Sequence, residues 1–382
     1  MEQKQTVIIF STAYLPFLGG AELAIKEITD RIHDLDFILI TARMRRNLLP
    51  RERLGNVEVY RVGVGIPLAD KLLSPFFASL CVFQISRRFP TCLFWSVMVS
   101  YTTITPVLLK MFRFYKNTPL FVTLQEGDSE KHISSGRFGL IAYWWRMSLR
   151  HADHVQVIST YLEKLARMFG YRGAVSMVPN GVDIGKFQIE KKKNKKVIIT
   201  VSRLVEKNAV DILIRAFAEV YKKFPDAKLH IVGEGEFRNK LETLVSNLEV
   251  GAAVTFWGNV PNEEVPRYLV VARVFVRSSR SEGLGISFLE AMSAGVPIIA
   301  TLVGGITDFL KDGETGLVCR VDDPHDLASK IERLFIDEPL YTKLQENGRR
   351  LVEERYDWNS IALQMKHIFN HLCEKNTVSH NS

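Results

Sequence analysis

The stretch Ser278-Ser279-Arg280-Ser281-Glu282-Gly283-Leu284-Gly285-Ile286-Ser287-Phe288-Leu289-Glu290-Ala291-Met292 decides how the chain is read. An apolar run, Val274 to Val276, precedes it and reads as a buried strand, and good helix formers follow the glycines. The order is therefore strand, loop, helix. Gly283 and Gly285 let a ligand approach the backbone. Behind them the N–H groups of Ile286, Ser287 and Phe288 open a helix end that favours anions, so phosphate belongs there. Glu282 in the loop and Glu290 a little over one turn into the helix flank that end, where both carboxylates can reach ligand hydroxyls. A nucleotide sugar has this layout.

The wider context is Glu282, seven residues, Glu290, then Ala291-Met292-Ser293-Ala294-Gly295-Val296-Pro297-Ile298-Ile299-Ala300-Thr301 and Val303-Gly304-Gly305-Ile306. This resembles the donor-binding core of the GT4-type retaining glycosyltransferases, the glycosyl transferases of group 1. The resemblance implies an α/β chain with the GT-B fold, two Rossmann-like doubly wound domains facing across a cleft. It implies that Glu282 contacts hydroxyls of the transferred sugar, Glu290 the ribose, and that Gly283, Leu284, Gly285 and Ile286 present N–H groups to the diphosphate. It also implies retention of anomeric configuration without a metal or resident cofactor, the nucleoside-diphosphate sugar being the donor substrate.

With 382 residues the chain can bury two cores, and 47% hydrophobic with 24% charged residues is ordinary for a globular protein. The net charge of +8 sits in the first half: 23 Lys and Arg face 16 Asp and Glu through Glu190, against 27 and 26 beyond it. Such an excess suits an anionic membrane surface or a phosphorylated substrate, and no nucleic-acid-binding signature accompanies it. Cys81, Cys92, Cys319 and Cys373 lack disulfide or metal spacing, so unpaired core thiols in a reducing, cytoplasmic setting are expected. The run Val7 to Phe10 is too short for a signal-peptide core.

Thr6 to Ser11 reads as the first buried strand and Ala21, Ile25, Ile28 and Ile32 as one face of the helix after it. Gly19 and Gly20, between them, form a second anion-friendly turn, and in the resemblance they match the Gly-rich loop that closes over the donor diphosphate. Strands at Phe37 to Thr41, Val57 to Val62, Leu93 to Met98, Leu120 to Leu124 and His154 to Ser159 continue an alternating pattern. Leu72 to Ile85 and Tyr101 to Phe114 are apolar but interrupted, and are read as buried or partly buried helices. Arg87-Arg88 and Arg113 to Lys116 at their ends keep a helix lying on a membrane surface as the alternative.

Residues 1–185 are expected as the acceptor-side domain, joined by a final helix over 358–375, with 186–357 as the donor domain and 376–382 a disordered tail. Lys191 to Lys196 reads as a solvated linker. Strands at Val197 to Ser202, Leu229 to Val232, Ala253 to Phe256, Val274 to Val276 and Pro297 to Thr301 build the second sheet. Arg203 and Lys207 lie on its first strand-to-helix loop, and the resemblance gives them the diphosphate. Lys207 stands one position early, since Asn208-Ala209 replaces the family's Lys-Gly. The loop at Trp257 to Val260 is expected near the base, and Asp322-Asp323 is read as a turn rather than a metal site.

The departure is Gln125, where relatives carry a His near sugar and acceptor. A Gln hydrogen-bonds but transfers no proton. Glu126, Asp128 and His132 are the neighbouring acceptor-side candidates. Three readings stay open: a hexosyltransferase acting on a glycan or lipid-linked acceptor, peripheral to the inner membrane face; a non-catalytic nucleotide-sugar-binding subunit; and a sugar-nucleotide epimerase.

Overall fold

The computed structural model describes residues 4–17, 19–187 and 196–380, and the chain divides into two compact units. The first comprises Met1–Asn180 with Trp358–Ser382, the second Gly181–Asp357. The division falls after Asn180 rather than after residue 185. The Val182 N–H donates to the Tyr356 carbonyl at 2.7 Å and Val182 bridges to Asp357, which ties the segment after Asn180 to the second unit.

The first unit carries eight strands: β1 (Thr6–Phe10), β2 (Asp36–Ala42), β3 (Arg51–Leu54), β4 (Val57–Val62), β5 (Thr91–Val97), β6 (Leu120–Leu124), β7 (His154–Val157) and β8 (Val175–Met177). Their order in the sheet is β3-β4-β2-β1-β5-β6-β7-β8, parallel except for the β3–β4 pair. Every residue of β1 and β6 is buried, as central strands covered on both faces must be, so apolar runs rather than alternation mark them. The chain leaves β1 toward β2 and later returns to pair β5 on β1's other side, so the sheet's direction of growth reverses at β1.

The final helix, Trp358–His380, belongs to this unit. Trp358, Ile361, Ala362, Met365, Phe369 and Leu372 are buried on one stripe, as their spacing predicts. The Phe369 ring lies 4.9 Å from Trp95, 5.7 Å from Phe121 and 6.1 Å from Phe37, centroid to centroid. The helix runs past the expected end at 375. No Gly or Pro interrupts Asn376 to His380, so the expected tail is helical there, and its last two residues lie outside the described ones. Cys373 on this helix is disulfide-bonded to Cys92 on β5, with Cα atoms 4.9 Å apart. That corrects the expectation of four unpaired thiols: packing of the last helix on the sheet brings together residues 281 apart. The pairing was invisible to local spacing.

The second unit has a fully parallel sheet of β9 (Val197–Val201), β10 (Lys228–Val232), β11 (Val254–Gly258), β12 (Val274–Arg277), β13 (Ile298–Thr301) and β14 (Leu317–Cys319). Its order is β11-β10-β9-β12-β13-β14. Helix Val210–Lys223 buries Val210, Leu213, Ile214, Phe217 and Val220 against it. Growth reverses between β9 and β12, and in doubly wound sheets the ligand crevice lies beyond the carboxyl ends of the strands at such a switch point. Lys191 to Lys195 of the expected linker lie outside the described residues; Lys196 pairs with Asp226 at 3.0 Å.

Candidate functional site

The loops after β9 and β12 meet at this switch point. Arg280 binds them together: its backbone N–H donates to the Lys207 carbonyl at 2.7 Å and its guanidinium to the Glu206 carbonyl at 2.6 Å and to Asp322 at 2.7 Å. Ser278 Oγ donates to the Ala209 carbonyl at 2.8 Å. A third loop, after β13, closes on the second through the Gly305 N–H, which donates to the Glu282 carbonyl at 3.1 Å. A Cβ on Gly304 would fall 1.8 Å from that oxygen, so only glycine fits there.

Within this frame Glu282 is held at both oxygens. Oε1 accepts the Gly283 N–H at 3.1 Å, and Oε2 is hydrogen-bonded and ion-paired to Arg277 at the end of β12. Arg277 is itself buried and also donates to Ser287 Oγ at 3.0 Å and to Asn208 Oδ1 at 3.3 Å. Sequence reading passed over Arg277 because it stands inside an apolar strand pattern. Its signal was a guanidinium in a buried strand, where an unpaired charge would be prohibitive.

Gly285, at φ +85°, precedes the helix Ile286–Ser293 and lies so close to the Phe288 ring that a Cβ would meet it at 2.7 Å. The Phe288 N–H donates to the Gly285 carbonyl at 3.0 Å, while those of Ile286 and Ser287 are first-turn donors with no carbonyl one turn back in their helix. Gly283 and Leu284 are buried beneath the turn, whereas Gly285 and Ile286 are partly exposed. Glu290, one turn on, is buried. Burial pushes its carboxyl up to about 7, opposed in part by Lys186 and Arg277.

Arg203 is exposed and Lys207 half-buried on the loop after β9. Among the described residues no carboxylate pairs with Arg203. Asn208 is buried, and its Nδ2 donates to the Arg203 carbonyl at 2.7 Å, curling the loop. Ala209 then takes φ +49°, the left-handed conformation a glycine would adopt freely. Asn208-Ala209 therefore keeps the turn and shifts the lysine, as the residue spacing suggests. Asp322 pairs with Arg280, and Asp323 caps the helix Pro324–Ile336 through the Asp326 N–H at 2.9 Å. Trp257, on edge strand β11, meets the Tyr268 ring edge-to-face at 5.0 Å, and the Gly258 carbonyl accepts from the Gly233 N–H at 2.8 Å.

In the first unit Gly19 and Gly20 are exposed at the carboxyl end of β1, and the Gly19 N–H is held by the Glu22 carboxylate at 2.9 Å. Gln125 follows β6 and its Oε1 accepts from Asn180 at 3.0 Å. Glu126 is buried beside it and takes the Val99 N–H at 2.6 Å and the Gln125 N–H at 2.9 Å. Burial pushes this carboxyl too up to about 7, against the hydrogen bonds that lower it. Its geometry is that of a clamp between the loops after β5 and β6. Asp128 is half-buried and His132 exposed on the short helix Glu130–Ser135.

Known proteins share the fold. Over 97% of the chain and 99% of its counterpart the fold matches the sucrose-phosphate synthase from Thermosynechococcus elongatus, with a TM-score of 0.85 at 22% identity. It also matches Anabaena HepE in complex with UDP-glucose, over 96% and 99%, with a TM-score of 0.77 at 18% identity. The chain is thus a GT-B protein. Residues 182–351, nearly all of the second unit, match the family described as Glycosyl transferases group 1. A GDP-mannose-dependent alpha-(1-6)-phosphatidylinositol monomannoside mannosyltransferase from Mycolicibacterium smegmatis is 30% identical over 233 residues, 56% of this chain and 61% of that protein. An N-acetyl-alpha-D-glucosaminyl L-malate synthase from Bacillus anthracis is 34% identical over 178 residues, 46% of each. The chain thus spans about half to three-fifths of these relatives' own lengths.

Two outcomes follow from the buried charges. Arg277→Met leaves the partly buried Glu282 carboxylate without its cation and lowers stability by roughly 3 kcal/mol in denaturant unfolding, with Arg277→Lys recovering part of the loss. Glu290, raised in the folded chain, binds more protons folded than unfolded between its ordinary value and about 7. Its contribution to stability is therefore greatest at low pH and is lost as pH rises to 7. Melting temperatures of Glu290→Gln and wild type measured from pH 5 to 8 should diverge, the wild type falling more steeply below pH 7.

Proposed function

We propose that the chain is a retaining hexosyltransferase that moves a sugar from a nucleoside diphosphate to a glycan or lipid-linked acceptor. Its place is in cell-surface polysaccharide or glycoconjugate synthesis at the cytoplasmic side of the membrane. The observation that carries this reading is the pinning of Glu282 beside a helix N-terminus, on a loop bonded to the one that carries Arg203 and Lys207.

Breaking the bond to the anomeric carbon leaves negative charge on the departing diphosphate. Arg203, Lys207 and the N–H groups of Leu284, Gly285 and Ile286 stabilise that charge, the Gly283 N–H being given to Glu282 instead, and preorganised donors of this kind supply the largest share of such a rate enhancement. Glu282, fixed by Arg277 and the Gly283 N–H, accepts hydroxyls of the sugar; Glu290 accepts those of the ribose. In a front-face transfer the leaving phosphate takes the acceptor's proton, so Gln125 need not act as a base. No metal or resident cofactor has a part in this scheme. The mannosyltransferase and UDP-glucose-bound relatives support a hexose donor.

One observation favours the alternative of a non-catalytic sugar-nucleotide-binding subunit: Gln125 is already engaged by Asn180 and carries no transferable proton. A thermal-shift panel of UDP, GDP, ADP and their hexose conjugates separates the readings. The true donor at a hundredfold excess over Kd adds about 2.7 kcal/mol of stability. Slow release of free sugar from that donor supports transfer, with Glu282→Ala and Arg203→Ala each reducing turnover at least about a hundredfold while the fold stays cooperative. Stabilisation without release in the presence of acceptors means a binding subunit, and no stabilisation by any nucleotide removes the donor-site assignment.

A further inference from the structure

The helix Pro67–Ser86 has its faces reversed. The stripe it turns inward is Asp70, Ser74, Ala78, Val82 and Ile85, small or polar over its first half. Asp70 is buried because it accepts three backbone N–H groups, from Met44 at 3.1 Å, Val64 at 2.8 Å and Gly65 at 2.7 Å. Ser74 Oγ accepts from Thr102 at 2.8 Å. The outward half-cylinder holds Leu68, Leu72, Leu73, Phe76 and Leu80, each between 49% and 66% exposed. Helices on a water-facing surface place these types the other way round. The expectation of a buried or partly buried helix therefore holds for one stripe only.

The apolar surface continues beyond the helix. Phe83 meets the Phe114 ring at 5.3 Å, and Phe112 and Phe114 are 70% and 52% exposed. The exposed charges next to it along the chain are basic, and the neighbouring Glu58 is ion-paired to Arg51. Arg45 and Arg46 follow the Met44 that binds Asp70, Arg87 and Arg88 follow the helix, and Arg113 and Lys116 flank Phe114; all six are exposed. From Val64 to Arg88 the only acidic residue is Asp70, turned inward, and Met111 to Thr118 contains none.

We infer that this face docks the chain on an anionic lipid bilayer, the helix lying in the plane of the interface with Leu68, Leu72, Phe76 and Leu80 among the acyl chains. The helix is long and apolar enough on composition to cross a membrane. Its inward stripe, fastened to backbone N–H groups of its own unit, holds it in plane instead. A second copy apposed through the same face would bring two basic rims together, which is repulsive. A bilayer carrying phosphate head groups satisfies both features at once: apolar side chains enter the hydrocarbon and the arginines reach the phosphates. This rests on the first unit's own side chains and stands apart from the sugar-transfer reading.

The test is flotation of the full chain, without nucleotide, on vesicles of phosphatidylcholine with or without phosphatidylglycerol. The wild type should float with the anionic vesicles only, and added salt should weaken the association. Leu72→Gln/Phe76→Gln/Leu80→Gln should lose binding at least about tenfold while melting no lower than wild type, because the replaced side chains face water. Arg87→Glu/Arg88→Glu, which leaves the apolar face whole, should also weaken binding to anionic vesicles. A wild type that stays with the bottom fraction overturns the inference, and so does a triple variant that floats undiminished. A wild-type dimer that the triple variant dissolves, with no vesicle binding, assigns the face to a second copy instead.

Discussion

The second unit depends on one backbone contact, the Gly305 N–H against the Glu282 carbonyl. Two loops that follow different strands must pass so closely that the Gly304 Cα has room for no substituent. Once they do, the carboxylate of Glu282 is set between Arg277 and the Gly283 N–H, and the helix after Gly285 starts where the crevice opens. Arg280 extends the same lock to the loop of Arg203 and Lys207. A parallel sheet supplies the crevice, and the loop bonds decide what faces into it.

The charges nearest the crevice are of two kinds. Arg277 and Arg280 are consumed by internal partners, and their work is to hold backbone and carboxylate in place. Arg203 stands exposed on the same loop system. In the proposed donor site, fixed cations that need no rearrangement would hold the frame while a solvated one meets the ligand, which is how a site keeps its geometry when charge arrives. The first unit shows a parallel division: Glu126 clamps two loops from within while Gln125 and Asp128 are partly open.

Much of this was legible in the residues. Buried apolar runs gave the central strands of both sheets, and the stripes from Val210 and from Trp358 gave their helices, because strong periodicity survives any tertiary context. The short strands β3, β8 and β14 were missed, since three or four residues are too few to carry a period. In the loop after β12, Glu282, Gly285 and Glu290 were singled out through their order along the chain. Arg277 and Asn208 were not, because their roles come from contacts between loops that are up to 69 residues apart. The Cys92–Cys373 pairing and the outward face of Pro67–Ser86 escaped for the same reason: which side of a helix is covered is settled by its neighbours, and apolar content alone does not reveal it.

The final helix gives the chain an order of assembly. Residues from Gly181 to Asp357 are continuous in sequence and complete their own parallel sheet, so they can fold as soon as they leave the ribosome. The first unit is emptied of part of its core until much later, because Trp358, Met365 and Phe369, which fill the space against Trp95 and Phe121, are translated only after the entire second unit. The half made first is finished last. During that interval its apolar sheet face is open, and the nascent chain is most exposed to aggregation and most in need of a chaperone there.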